Sequence, residues 1–283
     1  MRKFKDRLFH AACGLCVLMA CGVLLLIVGA LLFRGLPSVS WRFLTEQIRL
    51  VGADGGIFHN LVGTGILIAG AFAVSAPLGL GVALLHGVYL RSDSSRRRVL
   101  LFLYLLNGVP SLLFGLFGFI VFVKFFGLGK SWLTGGVLLG FMILPTVTVT
   151  LIERIRCVPR SSIEAARGLG LTVSQVVWSV ILPRSLGGLV TGSLLGLARA
   201  AGETAPILFT ATIFAGATFP KGIRESPVLS LPYHIFILAQ DSFDPAAAAK
   251  VWATAVVLLV LVMGLSLCAL PLRLRIHEEA RNG

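Results

Sequence analysis

Uncharged apolar runs of eighteen residues or more recur along this chain, each long enough to cross the hydrocarbon core of a bilayer as a helix. Of its 283 residues 57% are hydrophobic and 13% charged, and no stretch is long and polar enough for a separate soluble domain. The expected fold class is an all-α integral membrane protein with six transmembrane helices, a single domain over 1–283. Spans are expected at about 11–33, 57–90, 99–126, 133–152, 185–214 and 247–270. Pro77, Pro110 and Pro145 fall inside three of them. Proline is tolerated within a membrane where neighbouring helices or waters satisfy the freed carbonyls, so these positions predict bent helices around a cavity. The Pro-containing stretch 215–246 is expected as an external loop.

A formal net charge of +13 could point to nucleic acid, but Lys and Arg sit in short loops between the apolar runs. Sixteen fall on one side: Arg2, Lys3, Lys5, Arg7, the turn 91–98, the segment 153–184 and Arg273, Arg275 and Arg281 of the tail. Eight fall on the other side, Lys221 among them, and Arg199 lies within a run. This is the pattern of topology determinants, which places the first group and both termini in the cytoplasm and calls for no nucleic-acid partner.

Arg199 and Glu203 lie near the middle of the otherwise apolar or small stretch Ser185 to Phe214. An ionised side chain at the centre of a bilayer costs roughly 2.5 to 3.5 kcal/mol on insertion scales, so the pair is a functional candidate by default. At about 100° per residue, one helical face would carry Gly188, Gly192, Gly196, Arg199, Glu203, Pro206 and Thr210. The Gly-x3-Gly-x3-Gly seam predicts close approach of another helix beside the charges. Two readings stay open. One is a structural ion pair; the other is a guanidinium aimed at an anionic ligand, favoured because Arg before Glu is the weaker order for an i,i+4 pair.

Other features carry less. Cys13-x-x-Cys16 has no second pair at metal-ligand spacing, so the five cysteines read as small hydrophobes and no metal site is expected. Leu18-Met19-Ala20-Cys21 has the form of a lipoprotein cleavage box, but hydrophobicity continues a further dozen residues and favours a retained helix. Gly129-Lys130-Ser131 has the ending of a phosphate-binding loop, yet Lys124 replaces the first glycine and no strand precedes it. Within the spans Glu203 is the only acid, and no paired carboxylates or His cluster point to an enzyme.

The cytoplasmic segment 153–184 is richer. Ser161-Ser-Ile-Glu164 and Thr172-Val-Ser-Gln175 each fit a capping box, and Gly168 and Gly170 can stop the first helix. The second helix is expected to end before Pro183. Two capped helices with apolar residues at helical spacing predict a docking element for a cytoplasmic protein.

Glu164-Ala165-Ala166-x3-Gly170-x9-Val180-x-Leu182-Pro183 resembles the EAA motif of the membrane subunits of ATP-binding-cassette importers, with Val180 where Ile is usual. Arg199-Ala-Ala-Gly-Glu203-Thr204-Ala205-Pro206 resembles the signature of phosphate-importer permeases of the PstA type. Asn107-Gly-Val-Pro110-Ser111-Leu-Leu-Phe114-Gly115 and Gly55-Gly56-Ile57 are similar to the same subunits.

The resemblance implies a type I (MetI-like) permease fold and an inner-membrane transporter subunit without its own ATPase site. It also implies a homologous PstC-type permease, a PstB-type ATPase dimer that carries ATP and Mg, a PstS-type external binding protein, and inorganic phosphate as substrate. Glu164, Ala165, Ala166, Gly170, Leu182 and Pro183 would couple to the ATPase. Arg199, Glu203 and Thr204 would line the substrate path, and Gly188, Gly192 and Gly196 would pack the helix. Another oxyanion such as sulfate or molybdate, or a regulatory role in phosphate sensing, is the alternative.

Overall fold

In the computed structural model, residues 2–49, 54–213, 219–220, 222–240 and 244–282 are described, with side chains from Phe9 to Pro271. The basic residues Arg2, Lys3, Lys5, Arg7, Lys221, Arg273, Arg275 and Arg281 lie outside those described side chains. The described residues form twelve α-helices, one 3-10 turn, three π-helical stretches and a hairpin of two two-residue strands. Five helices are long and apolar enough to cross a membrane, and a bent pair makes the number six if it counts as one span.

The first helix, α1 (Arg2–Gly35), runs unbroken through Cys21. From Phe9 to Ile27 its side chains are all exposed, and it packs back on the chain through its end. There Gly35 lies against the Trp252 carbonyl and Val256, and the Arg34 guanidinium sits 5.1 Å over the Trp252 ring. The external face follows. In α2 (Trp41–Thr45) the Ser40 hydroxyl caps the first turn by accepting the Phe43 N–H at 3.1 Å. The strands β1 (Ile48–Arg49) and β2 (Asp54–Gly55) then pair antiparallel, and Gly55 supplies the φ of 75° that the return requires.

α3 (Phe58–Leu84) and α6 (Trp132–Arg156) form the centre. The most apolar stretch of α6 is 72% buried, whereas none of that of α1 is. The two helices meet through glycine: a Cβ on Gly70 would lie 3.3 Å from the Cα of Gly136, and one on Gly140 would lie 2.8 Å from the Cβ of Val74. Against this pair pack α4 (Asp93–Gly108), α5 (Ser111–Gly118), α9 (Leu182–Gly202) and α10 (Ala205–Thr210), while α7 (Arg160–Gly168) and α8 (Val173–Val176) pack on each other and join α6 through the cytoplasmic core. The chain closes with α11 (Leu231–Gln240) and α12 (Pro245–Asn282). One apolar core, with Leu67, Phe114, Met142, Ile143 and Ile207, lies at the level of α5 and α10. A second, with Leu103, Leu151, Ile155, Ala166 and Val177, lies at the cytoplasmic end.

Several expectations are corrected. The span expected over 99–126 is two helices, α4 and α5, bent by 92° at Val109–Pro110, because Pro110 cannot donate the next hydrogen bond. The span expected over 185–214 stops at Gly202. Pro206 would clash with the carbonyl of residue 202 in a continuous helix, and it instead occupies the first turn of α10, where its missing N–H costs nothing. Glu203 is extended (φ −77°, ψ 131°), so Pro206 and Thr210 do not continue the face of α9.

In the cytoplasmic segment Ser161 is not a cap. α7 starts at Arg160, two residues before the Ser162 start that a Ser161 cap implies, with Pro159 in the cap position. The Thr172–Gln175 box is present, with both reciprocal bonds formed. The helix it starts does not end before Pro183. A wide turn over Val177–Ile181, in which the Leu182 N–H reaches back to the Val177 carbonyl, shifts the ladder by one residue and lets α8 run into α9.

The stretch expected as external loop 215–246 contains α11, with Leu231, Tyr233 and His234 buried. Pro232, read as a loop marker, sits in its first turn. The Leu231 N–H donates to the Thr64 hydroxyl (2.9 Å) and Asn60 Nδ2 to the Ser230 carbonyl (3.2 Å), which ties α11 to α3.

Gly188, Gly192 and Gly196 lie against α6. A Cβ on them would fall 2.5 Å from the Cβ of Arg154, 3.0 Å from that of Thr150 and 3.2 Å from that of Ile143, respectively. Gly187 next door meets nothing within 4 Å. Gly192→Val therefore costs about 1–3 kcal/mol by overpacking. It should lower the thermal midpoint of the detergent-purified protein, followed by fluorescence-detected size exclusion, whereas Gly187→Ala, which has room for the methyl and favours the helix, does not lower it.

Candidate functional site

Two interrupted helices meet. The α4–α5 elbow and the α9–α10 break sit side by side, because α5 and α10 pack closely through Gly115. A Cβ on Gly115 would lie 2.9 Å from the Ala205 carbonyl oxygen and 3.1 Å from the Cα of Pro206. Only a residue without a side chain lets the two short helices approach so far.

Arg199 is in the last turn of α9, where a cation is favoured by the carbonyl end of the helix. Its Nη1 donates to Asn107 Oδ1 at 2.8 Å, from the last turn of α4. Its Nε lies 3.6 Å from Glu203 Oε1, an ion pair and not a hydrogen bond. The Arg199 side chain is 38% exposed and that of Glu203 18%. Thr204 opens α10, its carbonyl accepting the Leu208 N–H. A guanidinium thus stands open at a junction of two broken helices, held from one side by an amide and from the other by a carboxylate.

Below Asn107 a groove of ≈ 230 Å³ runs along α6 past Tyr104, Thr146, Val149, Thr150 and Glu153. Pro145 forms part of its wall, so a proline-bearing helix lines this groove. Asn107 was missed as a site residue by sequence reasoning, although an amide three residues before an intramembrane proline was the available signal.

Near the loop before α6, Lys130 Nζ donates to the Leu208 carbonyl at 3.1 Å, which satisfies an acceptor in the last turn of α10. Burial pushes the pKa of this lysine down from its ordinary value. Among the described residues no group of His, Cys, Asp and Glu is arranged to hold a metal.

At the cytoplasmic end, α7 turns Ala166 into the core and leaves Glu164 and Ala165 exposed. Gly170 takes the left-handed φ of 79° after the helix. Leu169 and Trp178, from the end of α7 and the wide turn after α8, are exposed at 83% and 68%. Leu182 and Pro183 sit at the start of α9, directly after the wide turn.

Residues 75–272 match the family described as binding-protein-dependent transport system inner membrane component. The chain is 32% identical over 256 residues to the phosphate transport system permease protein PstA 2 of Mycobacterium bovis, covering 87% of this chain and 83% of that one. It is 30% identical to the probable phosphate transport system permease protein PstA of Methanocaldococcus jannaschii, covering 99% and 97%. With the probable ABC transporter permease protein YqgI of Bacillus subtilis it shares 26% identity, covering 98% of each. Among solved structures it resembles an inward-facing conformation of the MetNI methionine ABC transporter, with a TM-score of 0.58 at 17% identity over 78% of this chain and 94% of that one. That likeness gives the MetI-type permease fold.

Loss of the amide at the helix junction has a direct readout. Asn107→Ala removes a hydrogen bond to a half-exposed charge, worth about 1 kcal/mol, so uptake by the intact transporter should fall roughly fivefold with assembly unchanged. Unchanged uptake would show that Asn107 does not hold Arg199 during transport.

By sequence over most of its length and by fold, the chain belongs to the binding-protein-dependent transport system inner membrane components, as a multi-pass inner-membrane permease of an ABC transporter that is not its catalytic subunit and calls for no cofactor of its own.

Proposed function

We infer that this chain is the PstA-type permease subunit of an ATP-driven inorganic phosphate importer. The observation that carries the reading is the likeness along nearly the whole chain to permeases named for phosphate transport. Support comes from an open guanidinium at paired helix breaks, since Arg offers forked donors that suit phosphate oxygens. Discontinuous helices near the middle of the bilayer are where transporters bind substrate.

The partners in this reading are a PstC-type permease, a PstB-type ATPase dimer holding ATP and Mg, and a PstS-type external phosphate-binding protein. The ATPase docks on Glu164, Ala165 and Gly170 beside exposed Leu169 and Trp178. Ala166 anchors that segment in the chain's own core, and the continuous helix Val173–Gly202 passes Leu182 and Pro183 on its way to Arg199. Thirty residues at 1.5 Å each make a lever of about 45 Å, so a tilt imposed at the docking end moves the helix junction. Thr204, at the hinge of that junction, shares the path with Arg199 and Glu203. When no anion is present Glu203 pairs with Arg199. Phosphate has to displace the carboxylate, which keeps binding weak enough for release.

Phosphate uptake is measured in cells lacking the gene and rescued with wild type, Arg199→Gln or Glu203→Gln, with membrane assembly checked in each. Arg199→Gln loses an interaction of about 1.5–3 kcal/mol with the anion, so uptake should fall at least tenfold while assembly persists. Equal rescue by wild type and Arg199→Gln would overturn the role of the guanidinium. Glu203→Gln should change the uptake kinetics without loss of assembly, and identical kinetics would remove Glu203 from the path. Failure of wild type to restore phosphate uptake, with sulfate or molybdate taken up instead, would overturn the choice of anion.

A further inference from the structure

We propose that the cavity between the start of α7 and the lower ends of α6 and α9 is a second oxyanion site, for a phosphate group presented from the cytoplasmic side. The cavity has a volume of ≈ 420 Å³ and is lined by Arg154, Cys157, Pro159, Pro183, Arg184 and Gly187. At about 30 Å³ per water it holds a tetrahedral oxyanion together with several waters.

Arg184 is the residue on which the site turns. Its Nη1 donates to the Ser162 hydroxyl of α7 at 2.7 Å, and its backbone carbonyl accepts from Arg154 Nε at 3.1 Å. Among the described residues no carboxylate lies within ion-pair distance of Arg184. A guanidinium whose side-chain partner is a neutral hydroxyl keeps its charge and most of its forked donors for a ligand. The arrangement is built in from α9. The Arg154 side chain lies across Gly188, where a Cβ would be 2.5 Å from the Cβ of Arg154 and 2.8 Å from its Cγ. The cavity lining contains two arginines and no Asp or Glu. α7, nine residues long, begins at the cavity wall with no side-chain cap, so its first N–H groups add to the same field.

This site is distinct from the helix junction. Arg184 and Arg199 lie at opposite ends of α9, fifteen residues and about 22 Å apart. An anion held at Arg184 contacts the residue that ties the docking segment to the spans, since Ser162 belongs to α7 and Arg184 to α9. Its occupancy therefore bears on how α7 moves relative to α6 and α9. The proposal rests on the preceding reading only in the choice of inorganic phosphate as the first probe.

Cys157 is exposed, lines the cavity and reports on it directly. The complete transporter, with its permease pair and ATPase, is treated with a maleimide in the absence of nucleotide, and modification is followed by mass spectrometry on the peptide containing Cys157. At a phosphate concentration ten times its dissociation constant about a tenth of the cavities stay empty, so labelling should slow about tenfold. Arg184→Gln should abolish the protection, Arg184→Lys should retain part of it, and Arg199→Gln should leave it intact. Vesicles of phosphatidylglycerol and of phosphatidylcholine, without free phosphate, separate the two sources of the group. Protection in the anionic vesicles alone assigns the site to a lipid headgroup and supports the oxyanion chemistry. Protection by sulfate but not phosphate supports the site and counts against the phosphate reading instead. Labelling insensitive to phosphate, sulfate and anionic lipid alike overturns the proposal, as does protection that survives Arg184→Gln in an assembled transporter.

Discussion

Hydrocarbon offers no hydrogen-bond partners to a broken backbone, and this constraint governs where the chain may interrupt its helices. It does so at Val109–Pro110 and at Glu203–Thr204, and both interruptions lie at one place in the fold. Pairing them lets each shield the other. α5 and α10 turn their small and apolar residues together at Gly115, Pro206 and Phe209, and Lys130 takes up a carbonyl in the last turn of α10. What remains open at the junction is polar for a reason. Asn107 and Arg199 come from the last turns of the two helices that stop there, and Glu203 is the residue at which the second one stops.

The same economy of elements links that junction to the cytoplasmic end. A helix stopping before Pro183 would leave a hinge between the cytoplasmic segment and the spans. The wide turn over Val177–Ile181 removes the hinge, because slipping the ladder by one residue accommodates the proline without ending the helix. Val176, Val177 and Ile181 face the core shared with α6, so the lever is packed along its first turns as well as continuous. Its glycine seam at Gly188, Gly192 and Gly196 then keeps α9 close to α6 along its length. A packed core has discrete arrangements, which is what a two-state alternation between inward and outward openings requires.

Much of this was legible in the sequence because hydropathy and glycine spacing are local properties. Four of the five long spans lie near where the apolar runs put them, the fifth is Val173–Gly202 and not 185–214, and the glycines of α9 meet a neighbouring helix as their four-residue spacing implies. The break after Gly202 was not read, although Pro206 announced it. A helical wheel assumes the helix it is drawn on, and the charged pair lies at a helix end instead of its middle. Ser161 fits a capping box by residue type, yet the cap position falls two residues earlier at Pro159, and the Ser162 hydroxyl meets Arg184. Asn107 and Arg199 are ninety-two residues apart, and no local pattern could join them. α11 was hidden by Pro232, which marks a loop or a first helical turn with equal ease.

The energetics at the junction bear on what Arg199 is for. Surface ion pairs contribute about 0–1 kcal/mol, and this one, at 3.6 Å with the arginine 38% exposed, lacks the short geometry that would raise it. At the centre of a bilayer a guanidinium would cost roughly 2.5 to 3.5 kcal/mol. The pair with Glu203 would therefore not offset such a cost, and the hydrogen bond to Asn107, worth about 1 kcal/mol at this exposure, would offset it only in part. A structural staple would have been stronger with the acid and base in the opposite order. The shortfall disappears when the junction opens onto water or when an anion completes the guanidinium's donors. The helix ends supply the rest: α9 presents its carbonyl end to the cation it holds, while α5 and α10 begin beside it.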